Sequence, residues 1–229
     1  MKILLFGATG MIGQGVLREC LRDPRVTQVL IVGRHAAGQA HPKVRELLHQ
    51  DFFDFSALEG ELSGLDTCFF CLGVSSAGLD EAAYRRVTHD LALAAAGTLA
   101  RLNPAMTFIY VSGAGTDGTG QGRTMWARVK GQTENALRGL PFRAVHLFRP
   151  GVIQPLSGIT SRTRWYRVFY GVMGPFFPWL RRLFPGTIIT TEELGRAMIR
   201  VALEGAPAAV LEARDLIALG GPPTPGVAP

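Results

Sequence analysis

Short apolar runs recur along this chain, and the stretches between them place apolar residues every three or four positions, which predicts strands and helices in alternation. The runs Ile3–Phe6, Val29–Val32, a weaker one holding Val44 and Leu47-Leu48, Thr67–Leu72, Met106–Ser112 and Ala144–Phe148 read as six strands. Helical spacing follows the first strand, covers roughly Leu79 to Leu102 with the alanine-rich Leu91–Ala96 inside it, and returns from Met125 to Leu137. A last helix ends near Glu204; its start, Thr191-Glu192-Glu193-Leu194, has a capping pattern with Thr190 or Thr191 as the cap. This order predicts an α/β fold, a doubly wound parallel sheet with right-handed crossovers, followed by a small helical C-terminal substrate lobe.

Sheets of this kind bind ligands at the carboxyl ends of their strands. The positions to watch are therefore Gly33-Arg34, Asp51-Phe52, Cys71-Leu72-Gly73, Ser112-Gly113 and Pro150-Gly151-Val152. The first strand runs into Gly7-Ala8-Thr9-Gly10-Met11-Ile12-Gly13 and then a helix. A dinucleotide loop needs three glycines there: one for the tight turn, one so that backbone N–H groups can approach a pyrophosphate, and one so that the helix can lie close to its strand. An ordinary tight turn needs less, and the strand before with the helix after favours cofactor binding. Arg34 stands after the second strand, where an NAD site usually carries an acid on the ribose 2′-hydroxyl. A guanidinium suits a 2′-phosphate instead, which predicts NADP in preference to NAD.

With 229 residues, 47% hydrophobic and 18% charged, the chain has ample core for one globular domain, expected over residues 1–220 with a basic and aromatic lobe at about 156–190. The Pro- and Gly-rich tail 221–229 has nothing to bury and is expected to be mobile. Three cysteines form no disulfide framework, and Cys68 and Cys71 sit in an apolar strand, so packing explains them better than redox chemistry. No metal-ligand spacing is present. Because the N-terminus reads as an entering strand and not as a signal peptide, a cytoplasmic protein is expected.

The net charge of +6 is uneven. Between Glu134 and Glu192 there is no acid, yet Arg138, Arg143, Arg149, Arg162, Arg164, Arg167, Arg181 and Arg182 fall there; the rest of the chain is slightly acidic. This points to a local anionic partner and away from nucleic acid. Within the interval, Trp165, Val168, Phe169, Val172 and Met173 form the apolar face of an amphipathic helix flanked by arginines. The uncharged run 168–180 is too short to span a bilayer. Segment 162–184 is thus open to three uses: a lid over substrate, a peripheral membrane element, or a cover for the sheet's open end that includes a dimer contact.

GATGMIG, the VGR after strand two, FFCLGVSS, YVSGAG, ARVKGQTEN and LFRPGVIQP, spread over residues 1–155, together resemble the atypical short-chain dehydrogenases. Within them the chain is most similar to the Tat-interacting oxidoreductase-like and small epimerase-like branch. The resemblance implies that Ser112 ends strand five at the nicotinamide, that Lys130 reaches the nicotinamide ribose, and that Pro150, Gly151, Val152 and Ile153 pack beside the carboxamide. Family members with standard chemistry carry Tyr-x-x-x-Lys, and here the tyrosine position is Trp126. Residues four apart share a helix face, so Trp126 should point into the same site as Lys130, but an indole N–H donates a hydrogen bond without shuttling protons. General acid–base help supplies about 10²–10⁴-fold, so slow hydride transfer can survive its loss.

Tyr110, Tyr84 and His89 are the substitute acids within reach of the pattern. Ser112 lacks the nucleophile elbow of a hydrolase. Two functions follow: a weak or non-standard oxidoreductase acting on a carbonyl or sugar-like substrate whose identity the residues do not give, or a non-catalytic NADP-binding sensor that acts through a partner.

Overall fold

A computed structural model describes residues 1–156, 183 and 186–221. The chain runs β1 (Lys2–Phe6), α1 (Met11–Arg22), β2 (Gln28–Gly33), β3 (Val44–Leu48), α2 (Glu59–Leu62) and β4 (Thr67–Phe70). Next come α3 (Glu81–Arg85), which passes through one π segment (Arg86–Asp90) into α4 (Leu91–Leu102), then β5 (Thr107–Val111), α5 (Met125–Arg138) and β6 (Ala144–Arg149). Short β7 (Val152–Gln154) and β8 (Ile188–Thr190) precede α6 (Thr191–Glu204), β9 (Val210–Glu212) and α7 (Ala213–Gly220). Seven strands pair in the order β3-β2-β1-β4-β5-β6-β9, every pairing parallel, as the alternation of elements predicts.

Strand residues are apolar on both sides because helices cover both faces. Ile3, Leu5, Val29, Ile31, Phe69, Ile109 and Phe148 point to one face, where Val16 of α1 and Leu194 and Met198 of α6 pack on them. Their alternates Leu4, Phe6, Leu30, Val32, Phe70, Phe108 and Leu147 meet Ala92, Ala95, Ala96 and Leu99 of α4 on the other. The cap of α6 is Thr190: its hydroxyl accepts from Glu193 N at 3.0 Å while the Glu193 carboxylate accepts from Thr190 N at 2.8 Å. Asp80 caps α3 in the same way, its Oδ1 accepting from Ala83 N at 2.8 Å.

Helices α2 and α7 and three short strands have no counterpart among the expected elements. β7 and β8 pair with each other alone, and β9 extends the main sheet beside β6. Each has three residues, too few to show a period, and their partners lie tens of residues away. Most of the lobe expected at about 156–190 lies outside the described residues. So does the tail beyond Gly221, and with the lobe go Arg162, Arg164, Trp165 and Arg167. Among the described residues no helix is long and apolar enough to cross a membrane.

Helix-borne glycines set two close approaches around the site. A Cβ on Gly131 of α5 would fall on the Asp117 carbonyl oxygen of the loop after β5, and a Cβ on Gly15 of α1 would lie 2.5 Å from Thr191 Cβ. Gly97 of α4, by contrast, is exposed and has nothing within 4 Å of such an atom. Gly131→Ala is therefore expected to destabilise by about 1–3 kcal/mol through overpacking, although alanine is the better helix former. Gly97→Ala should stabilise by about 0.5–1 kcal/mol; urea unfolding of the two variants checks the opposite signs.

Candidate functional site

The strand order reverses between β1 and β4, and the glycine turn sits there. Gly7 adopts φ +81°, and a Cβ on it would lie 2.7 Å from the Cys71 carbonyl oxygen at the end of β4. A Cβ on Gly13 would overlap the Gly7 carbonyl oxygen. Two of the three glycines are thus required by the fold itself. Gly10 is different: a Cβ there would meet only the Gly7 oxygen, at 3.3 Å. It is the N-cap of α1, no side chain caps the helix, and the first-turn amides of Met11, Ile12 and Gly13 face the opening. Gln14 Nε2 donates to the Thr9 carbonyl at 3.0 Å and holds the turn from below. Bare amides at a helix N-terminus, with room left by a missing side chain, fit a phosphate group.

At the ends of β2 and β3, Arg34 is exposed and has no carboxylate partner among the described residues; its carbonyl accepts from Gln50 Nε2 at 3.1 Å. Asp51 accepts from Phe53 N at 2.9 Å, and Phe52 is buried edge-on to Phe6, with ring centroids 6.0 Å apart. Asp51 thus shapes the loop after β3, and Phe52 anchors it in the core. Sequence reasoning passed over the neighbouring pair, in which the Arg86 guanidinium lies 4.7 Å from the centroid of the exposed Phe53 ring. At the end of β4, Cys71 N donates to the Phe6 carbonyl at 3.1 Å, followed by Leu72 and an exposed Gly73. Cys20, Cys68 and Cys71 are free and buried, and burial pushes all three thiols up, so none is a reactive thiolate.

Beside this turn lies a cleft of about 530 Å³. Val74, Ser75 and Ser76 after β4, Tyr84 of α3, Ser112–Ala114 after β5, Trp126 and Lys130 of α5, and Pro150–Val152 with Thr187 line it. Ile153 is buried behind Val152, in β7. Trp126 and Lys130 do share the face that looks into the cleft. The Lys130 ammonium donates to the Ser112 carbonyl, and its removal from water lowers its pKa to about 8, Glu134 opposing that shift.

Ser112 itself points its hydroxyl elsewhere. Its Oγ donates to Glu134 Oε1 at 2.6 Å, with the Phe148 carbonyl 3.2 Å away. Glu134 is 2% exposed and takes two hydrogen bonds from Arg149, Nε to Oε1 at 3.0 Å and Nη2 to Oε2 at 2.5 Å. Arg149 also reaches Glu212 at 3.1 Å. One network, buried at Ser112 and Glu134 and exposed at Glu212, therefore ties the ends of β5, β6 and β9 to α5. Glu134 and Arg149 entered the sequence reading only as charges; the one signal for them was that Glu134 stands a helical turn beyond Lys130.

Of the substitute acids, Tyr110 is sealed in the core, where burial raises its phenol pKa. Tyr84 reaches the cleft wall, but it is 2% exposed and burial raises its phenol pKa. His89 pairs its Nδ1 with Asp90 at 2.8 Å and does not line the cleft.

An all-parallel sheet in this order, with a glycine turn at its reversal point and a serine and a lysine at the end of β5 and on α5, is the fold of the short-chain dehydrogenases/reductases. No protein-family model matches the chain. The mitochondrial protein FMP52 of Saccharomyces cerevisiae is 30% identical over 168 residues, 72% of this chain and 69% of that protein. On this evidence the chain belongs to the FMP52 family. The FMP52 protein of Chaetomium globosum and the HTATIP2 protein of Rattus norvegicus are each 27% identical, over 65% and 62% of their own lengths. The match thus spans less than two thirds of either.

Solved structures share the fold. A dTDP-glucose 4,6-dehydratase from Streptomyces venezuelae superposes with TM-score 0.64 at 18% identity, covering 96% of this chain and 80% of that one. A short-chain dehydrogenase/reductase-family oxidoreductase from Burkholderia thailandensis gives 0.65 at 17% identity, with 95% and 92% covered.

The expectation of a cytoplasmic protein is overturned by these relatives. The FMP52 proteins of Chaetomium globosum, Aspergillus oryzae, Emericella nidulans and Saccharomyces cerevisiae are all named mitochondrial. A strand near the start of the sequence has no bearing on the choice between cytosol and mitochondrion.

The Glu134–Arg149 pair yields a stability prediction. Arg149→Met strands a buried carboxylate and is expected to cost about 3–5 kcal/mol, while the double variant Glu134→Leu/Arg149→Met recovers most of the loss. A double-mutant cycle by urea unfolding measures both.

Proposed function

We propose that this chain binds a nicotinamide dinucleotide phosphate across the β1/β4 reversal and acts as an oxidoreductase on a small carbonyl compound. The observation that carries this reading is Gly10, where a Cβ would meet the fold only at the Gly7 oxygen, 3.3 Å away, and whose missing side chain leaves the amides of α1 open to a phosphate. NAD is bound in the structure of the Streptomyces venezuelae dehydratase, which has the same fold. Gly7, Thr9, Gly10, Met11, Ile12 and Gly13 would hold the pyrophosphate, with Arg34, Asp51 and Phe52 towards the adenosine. Cys71, Leu72 and Gly73 would border its middle, and Lys130 with Pro150, Gly151, Val152 and Ile153 the nicotinamide end. When bound, the cofactor supplies or takes a hydride. The chain's own part is to orient the carbonyl in the cleft between Trp126 and Val152 and to keep water away from it.

Arg34 supports NADP over NAD, since an exposed guanidinium with no carboxylate partner among the described residues suits a 2′-phosphate. A sensor role that acts through a partner is favoured by one feature, the commitment of the Ser112 hydroxyl to Glu134 beside a tryptophan in the tyrosine position. Segment 162–184 keeps its three proposed uses of lid, peripheral membrane element and dimer contact.

Isothermal titration separates these readings. NADPH is expected to bind at least tenfold more tightly than NADH, the size of one charge-assisted hydrogen bond of about 1.5–3 kcal/mol, and Arg34→Ala should remove the difference. Equal affinities in the unaltered chain would end the NADP assignment. Gly10→Val should abolish binding of both cofactors while leaving the melting temperature close to that of the unaltered protein. Steady consumption of NADPH with an aldehyde would exclude the sensor role.

A further inference from the structure

The cleft has the fittings of a carbonyl-reducing site without the phenol that would serve as its acid. The groups around it narrow the alternatives. Trp126 carries an N–H that does not ionise near neutral pH. The Ser112 hydroxyl is spent on Glu134, Tyr110 is sealed in the core, Tyr84 on the cleft wall is 2% exposed and burial holds its phenol above the ordinary pKa, and His89 lies off the wall. Ser75, Ser76 and Thr187 bring only aliphatic hydroxyls, which do not ionise near neutral pH, so the cleft group with a proton to release there is, among the described residues, the Lys130 ammonium, held at the end of β5 by the Ser112 carbonyl.

We propose that Lys130 is itself the catalytic acid of this site, donating its proton directly to the substrate oxygen in place of the tyrosine that Trp126 replaces. The inference rests on the oxidoreductase reading above and deepens it. In the step, one Nζ–H bond breaks and an O–H bond forms on the former carbonyl oxygen, whose new electron pair comes from the C=O π bond. The carbonyl carbon receives its hydride from a reduced nicotinamide. Lys130 is left a neutral amine and regains a proton from water; in the oxidative direction the same amine accepts the proton.

Two features of the structure suit the task. The Ser112 carbonyl anchors one Nζ hydrogen and leaves the other two for the cleft. The ammonium is also less reluctant to give up its proton than an ordinary lysine, because burial lowers its pKa to about 8, near the pH at which an acid catalyst works best.

The other charged groups on the surrounding elements are already engaged. Glu134, one turn along α5, opposes the shift but is shared with Ser112 and Arg149. Arg149 is held by Glu134 and Glu212, Glu81 of α3 pairs with Arg128 of α5, and Arg85 is bound to Gln132 and Asp90. Asp117, in the loop after β5, spends its carboxylate on Thr119 and Gly122 of that loop.

The test uses the full chain and two readouts. Competitive acetylation with acetic anhydride from pH 6 to 11, followed by mass spectrometry of the Lys130 peptide, is expected to give a labelling midpoint near 8, against about 10.4 for an ordinary lysine. NADPH oxidation with 4-nitrobenzaldehyde should be fastest below that midpoint and fall about tenfold per pH unit above it. Lys130→Arg, which keeps the charge but does not release a proton, should lower turnover at least 100-fold while NADPH affinity changes by less than tenfold. An ordinary labelling midpoint, a rate that is flat from pH 7 to 9, or full turnover in the arginine variant would each overturn the role of Lys130 and leave the oxidoreductase reading standing. No NADPH oxidation by the unaltered chain would overturn both.

Discussion

The contact of Gly13 with the Gly7 carbonyl determines where α1 begins and how closely it lies on β1. Because Gly7 in turn presses on the end of β4, the same few atoms hold the two strands whose divergence opens the site. α1 then packs on α6 through Gly15 and Gly195, and α6 is capped by Thr190 at the end of β8. A larger residue at any of these close approaches would push a helix off the sheet and close or misalign the opening above Gly10.

A second constraint lies under the Ser112 end of the cleft. The Ser112–Glu134–Arg149–Glu212 network joins three strand ends and a helix where a parallel sheet has no hairpins to tie them. Burying Glu134 costs desolvation, repaid by the fork of Arg149 and the Ser112 hydroxyl. Its consequence for chemistry is specific. The serine that family resemblance places at the nicotinamide works here as a strut, and its carbonyl, not its hydroxyl, meets the one ammonium of the cleft. Trp126 adds apolar surface beside that ammonium, so two departures from the usual constellation shift the proton-carrying burden to the same residue.

Much of this was legible in the residues. Apolar runs of strand length and helical spacing between them are dictated by burial on both faces of a parallel sheet, so the six long strands and the helices at 125–138 and 191–204 could be read to within a few positions. The glycine turn was equally plain, since the spacing of Gly7, Gly10 and Gly13 between a strand and a helix is itself a pattern along the chain. β7, β8 and β9 were not readable: three residues carry no period, and each strand exists only because a distant partner offers its edge.

What the sequence by itself determined is the local and periodic part: element types, the turn at Gly7–Gly13, the missing tyrosine at 126 and the shared face of Trp126 and Lys130. The direction of each side chain at the site was decided by the tertiary structure alone. Ser112 could have faced the cleft, and Tyr84 could have offered its phenol there. Glu134 and Arg149, 15 residues apart in the chain, became partners only when α5 was laid across the end of β6. Hydrogen bonding and desolvation depend on neighbours brought together from separate elements, and no pattern along the chain carries that information.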